Sequence, residues 1–333
     1  MKKEGDILIT SADNKKVSIY VPCYNEVGNV KPMADTLTEI MGKLSYDYEI
    51  IFTDNCSTDG TKEILRSLAV QDKHIKVLMN SRNYGTDGRS TKNMIRYVNG
   101  DVFIWIACDF QEPPELLPEF IKYWKQGYKV VCGQKIGSKE GKIKYACRSL
   151  YYKLIKGLSE TPQYEHISGI TLLDKEVLRE WMKSDYDIDL RFVLADMGYE
   201  VKLIPYEQRE RRSGKSSYNI WRYLTFAINS MISTSITPLR LMTVVGFLMS
   251  VMSFAIGIVY FILKLVLWYN FQAGMAPILI GMFFLGSVQL FFLGVIGEYI
   301  GVILRKVTRQ PDVIISEKIN FDDDREIVSK SED

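Results

Sequence analysis

Three short segments concentrate residue types that hold ligands: Val21-Pro22-Cys23-Tyr24-Asn25-Glu26, Thr53-Asp54-Asn55-Cys56-Ser57-Thr58-Asp59-Gly60-Thr61, and Cys108-Asp109-Phe110-Gln111-Glu112-Pro113-Pro114-Glu115. In the first, the Tyr24 ring can stack on a nucleobase, while Asn25 or Glu26 can equally cap a helix that starts there. In the second, Asp54, Asn55 and Asp59 carry oxygens that can accept from base N–H groups. The same residues suit a helix-capping loop, and the two readings are compatible. In the third, Asp109 and Gln111 present a carboxylate and an amide oxygen just past an apolar run, although Asp109 can also simply end a strand. Other chemistries are excluded by residue type. His74 and His166 sit in no metal or triad pattern and read as structural, and no serine or cysteine nucleophile motif is present. The five cysteines, Cys23, Cys56, Cys108, Cys132 and Cys147, are odd in number and form no C-x-x-C pair. They argue against a disulfide framework or a zinc site and fit a reducing cytosol.

These segments need a frame that brings them together. Strand-like and helix-like stretches alternate from residue 17 to 205: Val17–Pro22, a helix from about Val27 to Leu44, Glu49–Thr53, and a helix capped near Ser57 or Asp59. Ile75–Met79, a helix over Asp87–Val98, Val102–Ala107, a helix over Glu115–Lys125 and Lys129–Cys132 continue the series. Continuous apolar strands separated by helices predict an α/β, mainly parallel, doubly wound sheet. In such sheets ligands sit beyond the carboxyl ends of the strands, where all three segments fall.

The rest of the chain has a different character. Uncharged runs cover Leu241–Leu263 and Leu265–Gly297. The first, at about 1.5 Å per residue, exceeds the roughly 30 Å of bilayer hydrocarbon. The second breaks at Trp268–Gly274, an interfacial turn with aromatic anchors, leaving Ala276–Gly297 as another span. Glycines in that span (Gly281, Gly286, Gly294, Gly297) favour close helix packing. Between Asn219 and Thr237 a broad apolar face predicts a helix on the membrane surface. The polar N-terminus lacks the apolar core of a signal peptide, and basic residues flank the runs on the side away from the turn. Both ends are therefore expected in the cytoplasm, with the chain multi-pass in the inner membrane. The predicted divisions are a tail over 1–16, a sheet domain over 17–218, the surface helix over 219–238, the hairpin over 239–304 with spans near 241–263 and 276–297, and an acidic, flexible tail over 305–333 whose biased composition starts at Glu317. Of 333 residues, 42 Lys plus Arg against 40 Asp plus Glu leave a net charge of +2, so no global field recruits nucleic acid.

With those motifs in place, the chain resembles the family 2 inverting glycosyltransferases of GT-A fold, and within them the polyprenyl-phosphate glycosyltransferases, over roughly residues 17–310. The resemblance implies a GT-A, Rossmann-like domain followed by a two-helix transmembrane hairpin. It implies transfer of one sugar from a nucleotide-sugar, most often a UDP-sugar, to a polyprenyl phosphate such as undecaprenyl phosphate. Nucleotide binding then falls to Pro22, Tyr24, Asn25, Glu26, Asp54, Asn55 and Asp59. Catalysis falls to Asp109, Gln111 and Arg211, with Mg2+ or Mn2+ held by Asp109 and Gln111. The lipid phosphate falls to Lys135, Arg148, Tyr152, Arg191, Lys215 and Ser216. Membrane lipids are implied partners, and the family's assembly implies a homo-oligomer, a tetramer.

The chain departs from the family's pattern in three places. Asn55 stands where a second aspartate is usual, Ala107 replaces the first aspartate of a D-x-D pair, and Lys135 replaces an arginine, keeping charge and losing bidentate geometry. The basic run Arg209-Glu210-Arg211-Arg212 can also be an anchor for anionic lipid. Two alternatives stand beside this reading: a non-catalytic binding homologue, suggested by Ala107 and Asn55, and a processive polysaccharide synthase, for which two helices provide no pore.

Overall fold

The computed structural model describes residues 15–85, 89–137, 167–183, 194, 197–212, 237–266, 275–307 and 313–321. β1 (Lys16–Cys23), α1 (Val30–Gly42), β2 (Asp47–Asp54), α2 (Thr61–Gln71), β3 (Ile75–Asn80), α3 (Arg89–Ile95) and β4 (Val102–Trp105) alternate as the hydrophobic pattern requires. A 3-10 turn at Pro114–Leu116 leads into α4 (Leu117–Lys125), then β5 (Val130–Gly137), β6 (Ile167–Asp174), α5 (Lys175–Lys183) and β7 (Val201–Glu207). Two long helices, α6 (Thr237–Val266) and α7 (Met275–Val307), precede β8 (Ile315–Ile319). The chain divides into two compact units, with β8 in the sheet unit and α6 and α7 in the other.

The eight-stranded sheet runs β7-β5-β6-β4-β1-β2-β3-β8. The central strands β4, β1, β2 and β3 are parallel, as are β5 and β7, whereas β6 is antiparallel to both β4 and β5. Side chains alternate across the sheet, so each strand feeds two cores. Ile19, Val21, Ile50 and Phe52 meet α1, α2 and α4 through Met33, Leu37, Leu65 and Phe120. Tyr20, Ile51, Leu78 and Phe103 meet α3 and α5 through Met94, Val177 and Trp181. Burial on both faces is why these strands read as unbroken apolar runs. Each fully buried side chain of this size contributes about 1.5–3 kcal/mol.

The C-terminal segment differs from expectation. Ile315–Ile319, predicted as part of a tail that becomes acidic and flexible from Glu317, is an antiparallel strand on β3. Its residues alternate Ile315, Glu317, Ile319 against Ser316 and Lys318, and an uncovered β3 would present unpaired N–H and C=O groups. Glu317 pairs with Arg66 at 2.7 Å. Asn320, at φ 63°, donates from Nδ2 to the carbonyls of Ala69 at 2.6 Å and Ile75 at 2.8 Å. The acidic composition of the residues after Asn320 hid this strand.

In the second unit, Leu239–Val266 and Ile280–Gly301 are long and apolar enough to cross a membrane, and large side chains such as Phe254 and Leu290 are exposed along them. The helices run beyond the expected spans of 241–263 and 276–297, because helix formation continues past the uncharged core at both ends. A Cβ added to Gly246 of α6 would lie 3.4 Å from the Phe292 ring of α7, so the glycine admits the facing ring. The expected surface helix, apart from its last two residues in α6, and the Trp268–Gly274 turn lie outside the described residues.

Candidate active site

The loops after β1 and β2 are joined side by side. Asn25 N–H donates to Ser57 Oγ at 2.8 Å, Glu26 N–H to Thr61 Oγ1 at 2.9 Å and Val27 N–H to Asp59 Oδ2 at 3.1 Å. Thr58 N–H returns a bond to Asn25 Oδ1 at 2.9 Å. Asp54 is fully buried and accepts the Ser57 N–H, and Asp59 Oδ1 accepts both N–H and hydroxyl of Thr61 across Gly60, a local turn that leads into α2. Burial pushes the Asp59 carboxyl up, but the Thr61 and Val27 bonds outweigh it and hold the group below its ordinary value. Tyr24 stands at the mouth with 41% of its surface exposed, leaving an aromatic face available for stacking.

Asn55 is used as an amide, not as a weakened carboxylate. Its Nδ2 donates to Asn83 Oδ1 at 3.0 Å and Gly85 O at 3.2 Å, while Oδ1 accepts from Tyr84 N–H at 3.0 Å and Asn80 Nδ2 at 3.2 Å. A carboxylate there would set two acceptors against Asn83 and Gly85 with no proton to share. Asn80, Asn83 and Tyr84, none of them expected at the site, thereby fix the loop after β3 to the loop after β2.

The third loop closes on a segment a hundred residues away. Asp109, 6% exposed, lies 2.8 Å from the Arg211 guanidinium through Oδ2 and accepts the Gln111 N–H on Oδ1 at 3.1 Å. Backbone bonds from Arg209 N–H to Gln111 O at 3.0 Å and from Arg212 N–H to Asp109 O at 3.3 Å zip the two segments together. Arg209 also pairs with Glu115 at 3.1 Å, and the Arg212 guanidinium stands 5.3 Å from the centre of the Phe110 ring. Glu26 belongs to the same electrostatic neighbourhood. Burial raises its pKa, Asn29 and Arg211 oppose the rise, and Asp109 and Asp59 add to it. Asn25, Cys56 and Phe110 each hold positive φ, 55°, 64° and 61°, at the ends of β1, β2 and β4. Such strain costs on the order of 1 kcal/mol per residue and gathers at functional sites.

Glu112 lies in the third segment, where the residue types assign it no role, and the structure makes it prominent. It is 6% exposed, and its Oε2 has no hydrogen-bond partner. Its pKa is pushed up to about 7, chiefly by burial and then by Asp109, while backbone N–H bonds from Ala107 and Glu112 and, to a smaller extent, Lys135 at the end of β5 pull it down. Gly169 in β6 makes the room, since a Cβ there would fall 2.6 Å from Glu112 Cδ and 2.9 Å from Trp105. A glycine inside an apolar strand is the sequence signal for such a close approach.

The structure thus brings together Pro22, Tyr24, Asn25, Glu26, Asp54, Asn55 and Asp59 in one pair of loops, and Asp109, Gln111 and Arg211 in another. Arg148, Tyr152, Arg191, Lys215 and Ser216 lie outside the described residues. Ala107 offers no oxygen, and among the described residues no three His, Cys, Asp or Glu side chains converge as a metal site. The donor set still fits a hard divalent ion held by one carboxylate, with substrate phosphates and water completing its shell.

The family model described as glycosyl transferase family 2 matches residues 18–182. The SfII prophage-derived bactoprenol glucosyl transferase of Shigella flexneri is 30% identical over 302 residues, covering 90% of this chain and 97% of that protein. An uncharacterised glycosyltransferase of Synechocystis sp. is 30% identical over 305 residues, covering 91% and 95%. Among solved structures, glucosyl-3-phosphoglycerate synthase from Mycobacterium tuberculosis in complex with uridine diphosphate aligns with a TM-score of 0.48 and 15% identity, covering 66% of this chain and 80% of that one. A match that starts in β1 and ends in α5, together with relatives aligned through the apolar helices, accounts for both units at once: the chain belongs to glycosyl transferase family 2 and is a glycosyltransferase.

Proposed function

We propose that the protein transfers a single sugar from a UDP-sugar to undecaprenyl phosphate, with inversion, making a lipid-linked sugar for cell-surface glycan modification. The cytoplasmic membrane face is its place of work. The observation that carries this reading is the closure of Arg211 onto Asp109, which sets a cation and a carboxylate at the carboxyl ends of the strands, where a diphosphate leaving group needs them. Relatives named bactoprenol glucosyl transferase, and two helices able to cross a membrane, support the lipid acceptor.

The acceptor needs little activation. A phosphate monoester has a second pKa of about 6 and is largely a dianion at neutral pH, so the protein's tasks are alignment and charge neutralisation. Tyr24 stacks the base, with Pro22, Asn25 and Glu26 shaping its wall. Asp54, Asn55 and Asp59 hold the loops in register. Arg211 draws the leaving diphosphate, and Lys135, with Arg148, Tyr152, Arg191, Lys215 and Ser216, receives the attacking phosphate. A Mg2+ or Mn2+ ion bound at Asp109 and Gln111 would supply further charge neutralisation to the diphosphate.

The test is transfer from radiolabelled nucleotide-sugars to undecaprenyl phosphate by the full chain in detergent, with Mg2+, Mn2+ or EDTA. A mild-acid-labile glycolipid, lost in Asp109→Asn, is expected. Nucleotide binding without product from any donor would overturn the acceptor assignment and favour the non-catalytic alternative, to which Ala107 points.

A further inference from the structure

In an inverting transfer the sugar lies between the leaving diphosphate and the attacking phosphate. On the function proposed above, on which this inference rests, that places it between the Asp109–Arg211 pair and Lys135. Among the described residues, Glu112 is buried and feels both Asp109 and Lys135. Its Oε2 is sealed from water and has no partner, a state that ordinarily costs about 1–3 kcal/mol and is kept where a ligand completes it. The space is built for it, because any side chain at residue 169 would strike both the Glu112 carboxyl and the Trp105 ring. Backbone N–H groups of Ala107 and of Glu112 itself steady the carboxyl, and Oε2 is left as the open acceptor. Glu49, the comparably buried glutamate of β2, also has an Oε2 outside any hydrogen bond, but there the Lys76 ammonium stands 2.8 Å away as its counter-charge, and Oε1 is held by Ser18 and Asn99.

We propose that Glu112 is a sugar-recognition residue: its carboxyl, admitted to the sheet by Gly169, accepts hydrogen bonds from hydroxyls of the donor sugar and so sets which sugar is transferred. A site built around a hydroxyl rejects the sugar that misplaces it, because the buried acceptor is then left unpaired. Stacking of the base and capture of the diphosphate lie with other residues, so Glu112 discriminates between donors without governing affinity for the nucleotide.

The experiment compares the parent, Glu112→Ala, Glu112→Gln and Gly169→Ala as full chains in detergent. It reads kcat/KM with UDP-glucose and its epimer UDP-galactose, the Kd of UDP, the KM of undecaprenyl phosphate, and the Tm. In Glu112→Ala the ratio between the better and the poorer donor falls by about tenfold or more. Gly169→Ala behaves like Glu112→Ala, Glu112→Gln keeps part of the ratio through its remaining acceptor oxygen, and the UDP Kd and acceptor KM stay at parent values. An unchanged donor ratio in all three variants overturns the proposal. A raised acceptor KM with the ratio intact also overturns it and makes Glu112 a support for Lys135. Joint loss of UDP affinity and Tm overturns it in favour of simple packing. A parent that transfers neither of these sugars, nor any other radiolabelled nucleotide-sugar, to the lipid removes the proposed function and this inference together, an outcome distinct from the other three.

Discussion

Glu49 in β2 and Glu112 beyond β4 are both almost completely buried, 1% and 6% exposed, yet their surroundings are opposite. Glu49 stands at the amino ends of the strands, where it accepts from the Ser18 hydroxyl and from Asn99 N–H at 2.8 Å and has the Lys76 ammonium 2.8 Å away. Ser18 Oγ in turn accepts Gly100 N–H at 2.9 Å. Glu112 stands at the carboxyl ends two residues after the positive-φ Phe110, with an unbonded Oε2 and a neighbouring carboxylate that opposes its ionisation. At one end a buried carboxylate is balanced by an ammonium 2.8 Å away; at the other it faces a second carboxylate, and perturbed carboxyl groups of that kind gather at functional sites.

That contrast can be broken by substitution. Glu49→Gln leaves the Lys76 ammonium, little exposed, without its counter-charge, and should lower stability by about 3 kcal/mol in chemical denaturation while surviving folded protein keeps its donor KM. Asn320→Ala removes the donor that closes the end of α2 and should cost about 1–2 kcal/mol, read by the same titration. Glu112→Gln should act in the opposite direction and raise the Tm at pH 8. The sign comes from a folded pKa near 7 against an ordinary value of 4.5: the fold holds the proton more tightly, so stability falls as pH rises from about 4.5 towards 7 and the loss is complete above it. The gain from Glu112→Gln should therefore shrink as pH is lowered towards 5. Arg66→Ala breaks an exposed pair with Glu317 and should change stability by less than about 1 kcal/mol. A Glu112→Gln variant less stable than the parent at pH 8 would remove the distinction between the two ends.

The fold was largely legible because strands covered on both faces must be apolar throughout, as Ile19-Tyr20-Val21 and Ile50-Ile51-Phe52 are. Position relative to the strands then pointed to the three loops. The features that escaped were fixed by long-range packing. β6 enters antiparallel between β4 and β5, and its Gly169 matters only because Glu112 lies against it. β8 is five residues long and merges into an acidic stretch, so its pairing with β3 left little local signal. Asn55 shows the limit of reading residue types alone: as a replaced aspartate it looks like lost charge, but its amide makes two donations that a carboxylate cannot. Asp109 and Arg211 could each be nominated from sequence, whereas their 2.8 Å pairing required the fold.

The central claim is that Asp109 and Arg211 act as one unit on the leaving diphosphate. The most direct test is sugar transfer to undecaprenyl phosphate by the parent, Asp109→Asn, Arg211→Gln and the double variant, read as kcat/KM. Each single substitution should cost about 10²- to 10³-fold, and the double variant should be little worse than either, as for groups that act together. Losses that multiply in the double variant, or an Arg211→Gln enzyme as fast as the parent, would contradict it.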